Sequence, residues 1–311
     1  MTRTDNLVVW MLRAAWVTLP VTVGGTFADA TTDWSDPTSV VFAILAWTAW
    51  GGALVAILAP RPAGLTAVRI VAPLLFVTTA AAGAEVGAGG APAVVVAGAT
   101  AVLALSSAFA TAAANGASYG DEVRFPLRVP PALFLGPLPV AIAAVGAGIA
   151  AGPLLLSVRQ WIWGTAAVVV GLPLAAVGVR ALHGLSRRWA VLVPAGFVLA
   201  DPATLDDPVL FRRERISALR PVASRPEPDP PRADEIDLRL GAQRGSCVLM
   251  LGEETDALHV RRGRRRSEQV KQRAVRFAVT RRFTLLARAA ARRIPVVDQA
   301  ATPPPTNRSP E

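Results

Sequence analysis

Cysteine, histidine and lysine are nearly missing from this 311-residue sequence, and each scarcity removes a class of chemistry. One cysteine, Cys247, cannot build a disulfide framework within a chain. His183 and His259 with that cysteine fall short of the four ligands of a structural zinc site. Lys271 is the only lysine against 31 arginines, which beside the heavy Ala, Gly and Val usage reads as genome composition rather than selection for guanidinium chemistry. Charge is scarce too. Asp, Glu, Lys and Arg make up 17% of the chain, where soluble domains carry about a quarter, and this speaks against a single water-soluble domain.

The charge that is present lies at one end. Residues 1–182 carry 8 basic and 7 acidic side chains, and residues 183–311 carry 24 and 15, so nearly all of the net +10 belongs to the C-terminal part. Before residue 183 the chain has six apolar runs, near 8–28, 39–59, 66–84, 91–113, 131–156 and 160–182. Each approaches or exceeds the roughly 20 residues that span a hydrocarbon core as a helix. An even number of spans puts both termini on one side. Arg3, Arg61, Arg69, Arg124, Arg128 and the basic tail then share that side, and the outer loops keep only Arg159. The positive-inside rule makes it the cytoplasmic side of a multi-pass protein of the cell (plasma) membrane. A competing reading takes Arg3 and Arg13 as the basic start of a signal peptide cleaved near Ala28-Asp29-Ala30.

Within the runs, Gly24-Gly25, Gly51-Gly52, Gly146, Gly148 and Gly152 are expected to let helices approach closely. Arg13 and Arg69 lie near span ends, where their heads can snorkel to the headgroups. The runs hold no set of carboxylates and histidines of the kind a proton relay needs.

The segment after the fourth run, Asn115 to Pro131, concentrates Asn115, Ser118, Tyr119, Asp121, Glu122, Arg124 and Arg128. Gly116 and Gly120 permit turns, and Pro126, Pro130 and Pro131 stiffen the return. The reading is an ordered loop, either a clamp holding the fourth and fifth helices through Arg–carboxylate pairs or a surface for a partner, a lipid headgroup or the C-terminal domain. Gly116-Ala-Ser118-Tyr-Gly120 has the letters of a nucleophile elbow, with Asp121, Glu122 and His183 to complete a triad. An elbow needs a strand before the serine and a helix after it, and here the serine follows a membrane helix.

From residue 187 the periodicity changes. Arg188–Val193 and Gly196–Ala200 read as a hairpin about Pro194-Ala195, followed by short apolar segments at Pro208–Arg212 and Arg215–Leu219. Residues 221–233 hold five prolines and read as a linker. Ile236–Leu240, Cys247–Leu251 and the alternating Val275, Phe277 and Val279 are further strands. A helix follows, with Thr280 as N-cap and Phe283, Leu285, Leu286, Ala289 and Ala290 on its apolar face. The domains are therefore 1–185, a six-helix transmembrane bundle, and 186–296, a small α+β unit of about seven antiparallel strands and a C-terminal helix. Residues 297–311 form a tail expected to be disordered.

That order, and the run Trp189–Ala200 leading to Asp207–Phe211 and Ile216–Leu219, resembles a bacterial pleckstrin-homology-like (PH-like) domain, an antiparallel β-barrel or sandwich closed by a helix. The whole chain resembles actinobacterial multi-pass membrane proteins of unassigned activity in which a helical bundle precedes such a domain. The resemblance supplies no reaction, no catalytic residue and no cofactor. The basic adaptor-like domain and the missing catalytic constellation point to a non-enzymatic membrane anchor or scaffold whose cytoplasmic domain contacts lipid headgroups or a protein partner. The alternative is a transporter or channel subunit with a regulatory domain. Arg261, Arg262, Arg264, Arg265 and Arg266 form the densest basic cluster. Anionic headgroups attract such a cluster, whereas few aromatic residues interleave it as a nucleic-acid surface would have them. No nucleic-acid partner is expected.

Overall fold

The computed structural model describes residues 3–222, 232, 234–255, 258–261 and 267–297. Contacts divide the chain into two units, Met1–Ala117 with Leu133–Arg187, and Ser118–Ala132 with Arg188 onward. The sequence boundary at 185–186 lies two residues from the later division. The polar loop, left by the sequence reading inside residues 1–185, passes from Ser118 onward to the second unit.

The first unit is helical: α1 (Arg3–Ala30), α2 (Asp36–Leu58), α3 (Pro62–Val86), α4 (Ala91–Ala104), α5 (Ser107–Asn115), then α7 (Pro137–Ser157) and α8 (Trp161–Ser186). A single turn, α6 (Pro131–Phe134), straddles the division. Prolines open α2, α3 and α7, where the missing N–H has no intrahelical partner to lose. Five helical stretches are long and apolar enough to cross a membrane, 3–30, 36–58, 62–104, 137–157 and 161–186. The six apolar runs of the sequence include 66–84 and 91–113 as separate spans. In the structure a 3₁₀ turn, Gly87–Gly90, joins them into one stretch of 43 residues. A straight helix of that length would measure about 65 Å, twice a bilayer core, and this one doubles back. Gly90 lies against Gly83, so close that a Cβ would stand 2.5 Å from the Gly83 Cα, and Gly98 faces the Phe76 ring. The returning arm then breaks at Leu105. Ser106 caps α5 by accepting the Phe109 N–H at 3.3 Å, so the fourth apolar run becomes helices of 14 and 9 residues.

Glycine decides how α7 and α8 pair. Gly148 meets Gly171 backbone to backbone, Gly152 meets Val168, and Gly164 meets Leu156. Gly146 meets Leu74 of α3 instead, so the close approach expected at Gly146, Gly148 and Gly152 is found at all three. The expectation fails for Gly24, Gly25, Gly51 and Gly52, which have open space where a Cβ would be. Between α1 and α2 a different device operates. Pro20 has no N–H, which leaves the Trp16 carbonyl without its donor four residues on. The Trp50 indole donates to that carbonyl at 2.9 Å, and the buried Trp16 indole donates back to the Trp50 carbonyl at 3.0 Å.

The second unit is built from two four-stranded sheets. In the first, β1 (Val123–Pro126), β2 (Trp189–Val193), β3 (Gly196–Ala200) and β4 (Val209–Arg212) pair in chain order, all antiparallel. The second has the order β5 (Ile216–Pro221), β7 (Ser246–Leu251), β10 (Ala274–Ala278), β6 (Glu235–Asp237). A separate hairpin joins β8 (Leu258–Arg261) to β9 (Ser267–Val270). The two large sheets meet where Leu127 bridges Val279 and the Arg128 N–H donates to the Ala278 carbonyl. Phe125, Leu192, Phe197, Leu249, Phe277 and Leu285 share one core, which α9 (Arg282–Ala291) covers with Leu285 and Ala289.

Several sequence expectations are corrected here. Among the described residues the chain has ten strands, and β6 runs parallel to β10, so the unit is not wholly antiparallel. A buried bidentate pair holds that register, with Arg276 Nε and Nη2 donating to the Glu235 carboxylate at 2.5 and 2.7 Å. The strand expected over Ile236–Leu240 ends at Asp237, because Leu238 turns its N–H to the Arg276 carbonyl and Leu240 takes φ +51°. Thr280 does not cap α9. Its hydroxyl donates to the Pro126 carbonyl, and Arg281 stands at the cap position. Phe283, assigned to the buried face, is 77% exposed.

Candidate functional site

The polar loop comes apart into two roles. Asn115 closes α5, its side-chain amide donating to the Thr111 carbonyl. Gly116 packs on the Pro60 carbonyl, where no Cβ fits. From Ser118 the segment turns and becomes β1, with Val123 opposite Leu192 and Pro126 opposite Trp189. The Arg–carboxylate pair forms inside this segment rather than between helices. Arg124 donates to Glu122 Oε1 at 2.6 Å, the Tyr119 N–H donates to the same oxygen at 2.7 Å, and the Arg124 guanidinium lies 5.1 Å from the Trp189 ring centre. This corrects the clamp expected across the fourth and fifth helices. The glutamate instead closes a turn that launches a strand. Phe125 and Leu127 then enter the core. Burying these two side chains contributes roughly 1.5–3 kcal/mol each, a large share of the ~5–15 kcal/mol that holds a domain together.

Two further arginines fasten the same segment. Arg188 binds Asp201 through Nε and Nη2 at 2.6 and 2.7 Å, both side chains almost fully buried, and its Nη1 donates to the Arg128 carbonyl at 3.1 Å. Arg292 donates to the Leu192 carbonyl at 2.7 Å and to the Asp121 carbonyl. The Arg128 side chain lies beside Gly245, a glycine at φ +74° that faces the Val279 carbonyl too closely for a Cβ. Asp121, Glu122, Arg124 and Arg128 thus lie within or beside one strand without forming a single cluster, and the Tyr119 side chain is 91% exposed. Sequence reading missed Arg188, Asp201 and Arg292. Nothing local marks them, because their partners lie 13 to 171 residues away.

The elbow motif is also placed. Its segment runs helix, turn, strand, the reverse of the order that chemistry requires. His183 is engaged elsewhere, its Nδ1 lying 3.0 Å from Thr66 Oγ1 between α8 and α3. Among the described residues no group of three His, Cys, Asp or Glu side chains could hold a metal ion.

Of the basic cluster, Arg261 ends β8 and pairs with Asp206 at 2.7 Å on an exposed surface. A side-chain hydrogen bond from Ser267, with that of Arg261, holds the Asp206 carboxyl below its ordinary range. Arg262, Arg264, Arg265 and Arg266 lie outside the described residues, as do 223–231, 233 and 298–311 from the linker and tail.

In the helical unit Arg13 does more than snorkel. It donates to the carbonyl of Leu58, the last residue of α2, at 3.3 Å, and lies 4.8 Å over the Trp10 ring. A cation there meets the negative end of the helix dipole. A cavity of about 360 Å³ opens among α1, α2 and α3, lined by Phe27, Phe42, Trp47 and Trp50, with Thr31 and Ser39 the only hydroxyl-bearing side chains. Compared with family models, with curated proteins and with solved structures, the chain finds no match.

Proposed function

We propose that this protein is a six-crossing, non-enzymatic anchor of the cell membrane, with both termini on the cytoplasmic side and a PH-like unit that contacts anionic lipid headgroups. Six crossings are supported by the fold-back of 62–104, whose outgoing arm is α3 and whose returning arm is α4 continued by α5. The orientation is supported by the arginine distribution, which leaves Arg159 alone in the outer loops. Two sheets around one core, covered by a C-terminal helix, support the PH-like reading; β1 and the parallel β6 are departures from it.

The observation that carries the function is the path of the chain. It passes between the units three times, after Ala117, after Ala132 and after Arg187. A β unit held by three covalent passages, with its first strand taken from between two spanning segments, stays with the bilayer. Its exposed basic residues therefore meet headgroups before any soluble partner. The transporter reading draws less support, because the cavity among α1, α2 and α3 has no ionisable lining residue, and the cavity that Asp33 and Arg159 line lies at the turns after α1 and α7 rather than within the helices.

The test uses the full chain, since residues 186–296 alone would lack β1. A photoreactive side chain at position 261 in protein reconstituted with mixed phosphatidylcholine and phosphatidylglycerol should label the anionic lipid preferentially. Adducts with a protein only, in native membranes, would transfer the contact to a partner and overturn the headgroup reading.

A further inference from the structure

Helix α9 has two dissimilar faces. Leu285 and Ala289 are buried and Leu286 is half-buried, while Phe283, Thr284, Ala287, Arg288, Ala290 and Ala291 point outward and are exposed. Among the described residues of the second unit, Phe283 is the most exposed large apolar side chain apart from Tyr119. The Arg282 guanidinium lies 5.0 Å from its ring centre. From Arg281 to Val297 the chain carries five arginines and no carboxylate.

The helix is fixed at both ends. Arg282 donates to the Val222 carbonyl at 2.8 Å, and Arg292 grips Leu192 and Asp121. Arg288 and Arg293 are exposed, and their guanidinium groups make no hydrogen bond or ion pair among the described residues. The Arg292 contact brings the C-terminal end of α9 to the turn that carries Tyr119. Asp121 in that turn lies only four residues after Ala117, where the chain leaves the helical unit.

An exposed phenylalanine and an exposed tyrosine, the exposed Arg288 and Arg293 in a stretch of chain that carries no carboxylate from 281 to 297, and an amphipathic helix held at both ends together form an interfacial surface, with Asp121 and Glu122 confined to the turn at its end. Aromatic rings settle at the headgroup level, and guanidinium groups stay with the phosphates. We infer that the outward face of α9, through Phe283, Arg288 and Arg293 with Tyr119 at its end, docks on the anionic headgroup layer of the membrane that holds the helical unit. The inference rests on the headgroup reading above and names the surface that makes the contact. Each exposed arginine near such a surface strengthens binding about fivefold, so Arg288 and Arg293 together contribute about 25-fold.

Cys247 is buried, which makes a single introduced cysteine selectively labelled. An environment-sensitive fluorophore on Ala287→Cys in the full chain, in discs of phosphatidylcholine with or without phosphatidylglycerol, reads the contact. Spin-labelled phosphatidylglycerol should quench it at least twofold more than the same fluorophore on Arg213→Cys, an exposed site between β4 and β5. Salt at 0.5 M, or Arg288→Gln with Arg293→Gln, should abolish the difference, and Phe283→Ser should halve it. Equal quenching at 287 and 213, or no preference for the anionic lipid, overturns the inference. A fluorophore at position 261 separates the two claims. Quenching at 261 without quenching at 287 removes α9 and leaves headgroup contact standing, whereas quenching at neither removes both.

Discussion

Replacing Trp50 by Phe tests how this bundle tolerates a proline in the middle of α1. The substitution removes the indole N–H that serves the Trp16 carbonyl, 2.9 Å away, while Pro20 continues to deny that carbonyl its helical donor. A buried acceptor without a partner costs about 1–3 kcal/mol, and hydrogen bonds between membrane helices measure about 0.6 kcal/mol with a ceiling near 1.7. The expected loss from the hydrogen bond is therefore about 1 kcal/mol, with a further contribution from the smaller ring. Pro20→Ala separates the two. With alanine at 20 the backbone N–H returns to the Trp16 carbonyl, and Trp50→Phe then costs only the ring. A double-mutant cycle by equilibrium unfolding in mixed dodecylmaltoside and SDS micelles, followed by far-UV circular dichroism, should give a coupling of about 1 kcal/mol. Additivity within ~0.3–0.5 kcal/mol would show that the indole bond is not what compensates Pro20.

Asp201→Asn strips Arg188, 2% exposed, of its bidentate carboxylate. Breaking a buried pair from one side costs about 3–5 kcal/mol, so trypsin should cleave the second unit much faster in this variant, and an unchanged rate would refute a structural role. Burial alone would raise the Asp237 carboxyl, but donation from the Arg239 side chain and backbone N–H outweighs it and holds the carboxyl below its ordinary 3.8. The stabilisation from that lowered value is complete above the ordinary carboxylate range and is lost as the pH falls through the folded value. Asp237→Asn should therefore flatten the acid limb of stability below about pH 4, and an unaltered limb would count against it. Burial pushes the Cys247 thiol up to about 12, so maleimide at pH 8 should leave the folded chain unlabelled and modify it fully only in SDS.

Composition and pattern made much of this architecture legible. The first two apolar runs and the last two correspond to α1, α2, α7 and α8 within six residues at either end, since hydrocarbon length alone dictates such runs. The hairpin about Pro194-Ala195 and the strands at Cys247–Leu251 and Val275–Val279 were legible because alternation and turn chemistry are local. What escaped was set by partners distant in sequence. Val123–Pro126 is four residues between a glycine-rich turn and a proline pair, and nothing in it announces a strand until Trp189–Val193 lies alongside. Glu235 gives no sign of binding Arg276, 41 residues on, so the parallel register was invisible. Phe283 was misassigned because helical periodicity allots one apolar face, and α9 carries apolar residues on two.

The origin of β1 has a consequence for biosynthesis. Val123 leaves the ribosome about 66 residues ahead of Trp189, the start of its pairing partner. At ~5–20 residues per second that interval lasts about 3–13 s, during which α7 and α8 are synthesised. Through that time Val123–Pro126 waits as an unpaired edge, prone to pair with another chain. Completion of one helical pair thus sets the moment at which β1 can join the sheet, whose other strands β2, β3 and β4 follow one another directly in the chain.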